Sequence, residues 1–207
     1  MKNIEITSKN WQEYESLAYQ QGFLRVCGID EAGRGPLAGP VCAAAVILPQ
    51  TCLIPELNDS KKLSEKKRNK LFDIIKQQAL DYSIAFASSS EIDDMNILQA
   101  TFLAMRRAVS GLKPLPDFAL VDGNLDPGLE VMSQCIVGGD GKSQSIAAAS
   151  VLAKVSRDKI MCELDIIYPE YGFAKHKGYG TKAHYAALES AGLCPEHRRS
   201  FLKRLLS

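Results

Sequence analysis

At 207 residues, with 46% hydrophobic and 24% charged positions and a formal net charge of +1, the chain has the size and apolar content of one full-sized domain rather than two. This composition, with no low-complexity tract, heptad run or fixed-period repeat, excludes disordered, coiled-coil and solenoid architectures. The opening MKNIEITSKNW holds no apolar core of signal-peptide length, and no stretch reaches the roughly 18 apolar residues of a membrane span, so a cytoplasmic protein without a membrane partner is expected.

In chain order, Trp11, Tyr14, Leu17 and Ala18 fall at helical spacing with Gly22 as a stop, which predicts an opening helix over 8–21. LRVCGID and GPVCAAAVIL are short apolar runs parted by EAGRGPLAG, the pattern of two neighbouring strands joined by a glycine-rich turn. Ser64 caps a helix running to about Ala79, with Leu71, Phe72, Ile74 and Ile75 as its apolar face. DYSIAFAS alternates as a strand. Ser90 with Asp93 marks the start of a longer helix carrying Ile92, Met95, Leu98, Phe102, Met105 and Val109 and closing near Gly111.

FALVDG and VMSQCIVGG are two further strands, and SQSIAAASVLAKVSRDKIMCELDII is a long helix rich in small residues. Shorter helices are expected around Lys182 to Ala191 and from Pro195 to the end. A strand hairpin followed by strands alternating with helices gives a mixed α/β sheet with helices on both faces. We expect a single domain over 1–207, with a helical, basic C-terminal part from about residue 168.

The small net charge hides an asymmetry. From Tyr171 onward there are seven Lys/Arg against two Asp/Glu, which suits a polyanionic partner. Lys175, Lys177, Lys182, Arg198 and Arg199 are candidates to extend a groove, and His176, His184 and His197 among them read as surface residues rather than metal ligands. Lys154 and Arg157, one helical turn apart, read as partners of Asp158 or Glu163. The six cysteines form no Cys-x-x-Cys pair and read as buried, reduced thiols.

Three places set an acidic residue beside glycine where a strand should end: Asp30-Glu31 in GIDEAGRG, Asp122 in LVDGN and Asp140 in VGGDGKS. Any one of them could be a plain turn. Together they propose a site at the ends of strands, where open α/β sheets build them, and hard divalent cations want carboxylate oxygens. A metal pair in such a site can hold the attacking and leaving oxygens of a phosphoryl displacement. Consecutive strand residues point to opposite faces, so Asp30 and Glu31 share a pocket only if the strand ends or bulges there, and Ala32-Gly33 is the expected break.

At these residues the chain resembles bacterial ribonuclease HII. GIDEAGRGPLAGP, LNDSKKLSEKKR, EIDDMNILQATFLAMRRAV, LVDGN, GGDGKSQSIAAASVLAKVSRD, YPEYGFAKHKGYGTKAH and HRRSF are similar, in that order, to the family's signature blocks and span about Gly28 to Phe201. The resemblance implies a ribonuclease H-like fold, a mixed sheet flanked by helices with a helical C-terminal region. It places the four-carboxylate set, which would hold Mn²⁺ or Mg²⁺, on Asp30, Glu31, Asp122 and Asp140. It also places the recognition motif on Gly33, Arg34 and Gly35, phosphate contacts on Lys61 and Lys62, and the substrate-sensing tyrosine on Tyr179. Without Cβ atoms, Gly33 and Gly35 let a nucleic-acid backbone approach the peptide groups. Where the family often has Gly-Tyr-Pro, this chain has Gly178-Tyr179-Gly180, a change that predicts a looser loop.

The implied activity is endonucleolytic hydrolysis of the RNA strand of RNA/DNA hybrids, with cutting 5′ of ribonucleotides embedded in duplex DNA, by a protein expected to act as a monomer. Two rivals stand beside it. Another ribonuclease H-like nuclease or strand-transfer enzyme would share the carboxylates but not DEAGRGP. A catalytically silent nucleic-acid-binding module would use the basic C-terminal region alone, and the intact carboxylates argue against it.

Overall fold

A computed structural model describes residues 11–58 and 60–203, the side chain of Lys62 excepted. Five strands form one sheet in the order β3-β2-β1-β4-β5: β1 Val26–Ala32, β2 Val41–Ile47, β3 Asp81–Ala87, β4 Phe118–Asp122 and β5 Met132–Ile136. β1, β2 and β3 are antiparallel neighbours, and β4 and β5 extend the sheet from β1 in parallel. The central strands read as nearly continuous apolar runs because both their faces are covered. Helices α5 (Gln144–Ile167) and α2 (Glu65–Gln78) pack on one face around Val46, Leu71, Ile75 and Leu152. Helix α4 (Ile97–Ser110) packs on the other around Ile29, Ile47, Ala104 and Met105.

Small residues let α5 come close to the sheet. A Cβ on Gly28 would lie 2.1 Å from the carbonyl carbon of Ser145, so only glycine fits there. That close approach brings the start of α5, and the loop carrying Asp140 just before it, to the centre of the sheet. The Ser64 hydroxyl accepts from the Lys67 N–H at 3.3 Å and caps α2 as expected, a contribution of about 1 kcal/mol. Helix α1 covers Glu13–Gln20, inside the predicted 8–21; positions 8–10 of that prediction lie outside the described residues.

Two predicted helices need correction. The long helix expected from Ser90 is two helices, α3 (Ser89–Met95) and α4, and its cap is Ser88 with Glu91. Asn96 breaks it with φ of 75°, while its side-chain oxygen accepts from the N–H groups of Leu98 and Gln99 and starts α4. The apolar stripe continues across the break, so periodicity alone could not reveal it. In the C-terminal part, α6 (Phe173–His176) and α7 (Lys182–Ala191) form, but no helix begins at Pro195; positions 204–207 of the helix expected to run to the end lie outside the described residues. Residues 194–198 form instead a strap that turns at Pro195-Glu196, where His197 N–H donates to the Cys194 carbonyl, with His197 bridged to Ala38 and a 3-10 turn following at Arg199–Phe201.

All six cysteines are free; Cys27 and Cys42 are buried as expected, whereas Cys162 is exposed on α5. Among the described residues no helix is long and apolar enough to cross a membrane.

Candidate active site

β1 and β4 run in parallel with Val26 opposite Phe118 and Ile29 opposite Val121. One residue further on, the same register sets Asp30 beside Asp122, on strands about 4.8 Å apart and facing the same side. That side is the α5 face, where Ser150 stands by Asp30. β1 ends where expected: pairing with β2 runs through Asp30↔Ala44, Glu31↔Ala43 and Ala32↔Cys42, and the chain turns at Gly33, with φ of 100°. Glu31 therefore starts from the opposite face. Its side chain still acts on Asp122, because the β1–β4 ladder ends at Ile29 and leaves the strand end open. Asp140 sits buried in a 3-10 turn, Gly139–Gly141, whose Gly139 N–H donates to Asp122 Oδ1 at 2.6 Å.

Burial lifts the Asp30 carboxyl well above the usual carboxylate range, and the charges of Glu31 and Asp122 lift it further. Glu31 is raised too, chiefly by burial and against the pull of Arg34, whose Nη1 lies 3.4 Å from Glu31 Oε1. Lys61 eases Glu31 as well. This is the electrostatic deficit that a divalent cation cancels, and the donors are the hard oxygens such ions prefer. Backbone N–H groups anchor one oxygen of Asp30 (from Glu31, 2.7 Å) and one of Asp122, so the carboxylates are oriented before any ion arrives. Among the described residues no three His, Cys, Asp or Glu side chains are already grouped to hold one ion. The residues fit a metal in kind.

The glycine-rich loop is held from below by two buried arginines. Arg198, fully buried, donates to the carbonyls of Gly33, Arg34, Pro36 and Gly39 at 2.6–2.9 Å. Arg157 donates to those of Ala38, Pro40 and Lys177 at 2.9–3.1 Å. Burial pulls both guanidinium groups down from their usual range, Arg198 to about 9. A Cβ on Gly33 would lie 2.0 Å from Arg157 Nε, so this glycine makes room for the arginine beneath it. At Gly35 a Cβ would meet only Tyr179 Cε1, at 3.6 Å. The Tyr179 ring, about half exposed, thus borders the outer side of the loop.

The loop around Tyr179 is tied more tightly than Gly180 suggested. Tyr179 N–H donates to His176, its carbonyl accepts from Thr181, and Leu37 N–H donates to Gly178. Its carbonyl also ends a chain of neutral imidazoles. Cys194 N–H donates to His197 Nδ1, so His197 carries its proton on Nε2 and donates to His184 Nε2 at 3.0 Å. His184 must then carry its proton on Nδ1, which donates to the Tyr179 carbonyl at 3.0 Å.

The family model for ribonuclease HII matches residues 27–205. The chain belongs to the ribonuclease HII family. It is 62% identical to a ribonuclease HII of Endomicrobium trichonymphae over 88% of each chain, and 53% identical to that of Aliivibrio salmonicida over 98% of this chain and 97% of the other. Among solved structures, the ribonuclease H2 of Pyrococcus horikoshii OT3 superposes with a TM-score of 0.72 at 28% identity, over 86% of this chain and 93% of that one. The five-stranded mixed sheet with its flanking helices is the ribonuclease H-like fold expected.

Within this ribonuclease HII frame, the structure brings Asp30, Glu31 and Asp122 within electrostatic reach of one another, with Asp140 on the adjoining turn. Gly33, Arg34 and Gly35 continue from the same strand end, and Tyr179 touches Gly35. Lys61 is exposed in the 3-10 turn Ser60–Lys62 and faces Glu31; the side chain of Lys62 lies outside the described residues. Lys154 pairs with Asp158 at 2.8 Å as read from sequence.

Four readings are overturned. Arg157 bonds backbone carbonyls and not Asp158 or Glu163, and Arg198 is buried under the loop and not part of a groove, whereas Arg199 is exposed. His184 and His197 are core residues, 0% and 2% exposed. Asp93 does not start its helix; its carboxylate accepts from the N–H groups of Arg199 and Ser200 and fastens the strap to α3.

Proposed function

We propose that this chain hydrolyses the RNA strand of RNA/DNA hybrids and cuts 5′ of single ribonucleotides embedded in duplex DNA, using Mg²⁺ or Mn²⁺ and leaving 3′-hydroxyl and 5′-phosphate ends. The observation that supports it most is the register placing Asp30 beside Asp122 at the open end of β1 and β4, next to the glycine-rich loop and Tyr179.

In this reading Asp30, Glu31, Asp122 and Asp140 hold the cations. When bound, a divalent ion supplies positive charge for water activation and for the leaving oxygen. Arg34 keeps Glu31 oriented until then. The peptide groups of Gly33, Arg34 and Gly35 meet the ribose 2′-hydroxyl, Tyr179 packs on the neighbouring sugar, and Lys61 and Lys62 contact phosphates. Every group named comes from one chain, so a monomer suffices. The 2′-hydroxyl is a recognition handle and not the nucleophile: two of the three histidines are buried and committed to each other, unlike the exposed acid–base pair a cyclising ribonuclease would need.

The test is cleavage of a DNA duplex containing one ribonucleotide, with each metal in turn and with chelator. Cutting that depends on metal and on the ribonucleotide supports the proposal. Binding without cutting at any metal concentration would favour the silent binding module.

A further inference from the structure

The peptide group is planar and trans, so a carbonyl held inward sends the following N–H outward. Arg157 and Arg198 impose this on the glycine-rich loop. Between Gly33 and Pro40 their side chains take the carbonyls of Gly33, Arg34, Pro36, Ala38, Gly39 and Pro40, and the Arg198 N–H takes that of Leu37. Gly35 alone in this segment has its carbonyl outside the clamp. With the Gly33 and Arg34 carbonyls pulled down, the N–H groups of Arg34 and Gly35 face the opposite side, where Tyr179 borders Gly35. Pro36 has no N–H, so the loop presents two adjacent donors and the Gly35 carbonyl as acceptor.

A hydroxyl both donates and accepts, and it matches that small set. Both guanidinium groups are at most 1% exposed, so neither can touch a nucleic acid. Two buried cations serving only to tie down a surface loop would be costly when apolar packing could do it. What they add is orientation, because a guanidinium fork fixes several carbonyls at set angles. The Asp93 contacts to residues 199 and 200, and the Ser89 hydroxyl bond to the Glu196 carbonyl at 2.9 Å, hold the strap that delivers Arg198.

We propose that Arg157 and Arg198 are specificity-positioning residues, fixing the outward N–H groups of Arg34 and Gly35 as the donors that tell ribose from deoxyribose. This rests on the ribonucleotide-cutting activity proposed above. Arg157→Lys and Arg198→Lys keep the charge and lose the fork. Each should lower kcat on the single-ribonucleotide duplex at least tenfold, leave the Kd for an all-DNA duplex within about threefold, and spread the cuts over neighbouring bonds in a run of four ribonucleotides. Leu188→Ala, which loosens the same C-terminal cluster while leaving both guanidinium groups and their carbonyl partners in place, should lower the melting temperature and keep both the cut position and the preference for the ribonucleotide duplex. Lysine variants that cut at the wild-type bond with wild-type kcat would overturn the proposal. So would wild-type amide exchange at Arg34 and Gly35 slowed equally by ribonucleotide and all-DNA duplexes, a measurement needing no variant. If the wild type itself fails to cut the ribonucleotide duplex, it is the underlying activity that fails.

Discussion

Lowering the pH should unfasten the C-terminal strap through His197. Its ring is 2% exposed, accepts from Cys194 N–H and donates to His184, which is stacked on His176 and donates in turn to Tyr179. A second proton on either ring of the pair would set two donors face to face, at 3.0 Å. Burial, with the neighbouring His184 adding to it, pulls the His197 imidazole down to about 4 from its ordinary 6.5. The unfolded chain therefore takes up the proton first as pH falls below 6.5, and stability is lost progressively until about 4, where the folded form protonates as well. At about 1.36 kcal/mol per pH unit across that window, the loss is on the order of 3 kcal/mol. Urea unfolding between pH 7.5 and 4 would measure it for the wild type and for His197→Phe, which keeps a ring and cannot titrate. The wild-type advantage at pH 7.5 should shrink by about that amount toward pH 4. An advantage constant over the whole range would refute both the tautomer chain and the sign of the shift.

Asp30→Asn should lower turnover at least about a hundredfold while hybrid binding stays within a few-fold, since it removes a metal ligand and not a substrate contact; kinetics and fluorescence anisotropy separate the two. Changing Lys61 and Lys62 together to Ala should weaken all duplexes alike and flatten the log–log salt dependence of binding by about 1.8, and an unchanged slope would return them to a solvated surface. For Tyr179, half exposed beside Gly35, Phe should keep activity within about threefold, while Ala should forfeit a stacking contact of about 1–3 kcal/mol. A Phe variant as poor as Ala would point to the hydroxyl instead.

Where chemistry follows chain order, the sequence was informative. The hairpin of β1 and β2, the Ser64 cap and the long small-residue helix α5 came from local pattern, and the acidic strand ends were visible as Asp beside Gly. The break at Asn96 was hidden because α3 and α4 share one apolar stripe. Arg157, Arg198, His184 and His197 were misread for a single physical reason: their partners are backbone carbonyls or one another, which leave no mark in composition, so a basic segment looked like a solvated surface. The motif HRRSF carried the missed signal, since its first arginine is the one beneath the loop. The strand break at Ala32-Gly33 was legible, but not the opening that lets Glu31 act on Asp122, because that comes from the end of the β1–β4 ladder, a tertiary feature.

The most direct test of the account is mass spectrometry of the strand cut from a DNA duplex containing one ribonucleotide. The carboxylate site predicts a cut on the 5′ side of the ribonucleotide, with a 3′-hydroxyl on one fragment and a 5′-phosphate on the other, and no cut when that ribose is 2′-deoxy. A 2′,3′-cyclic phosphate end, or equal cutting of the deoxy duplex, would contradict it.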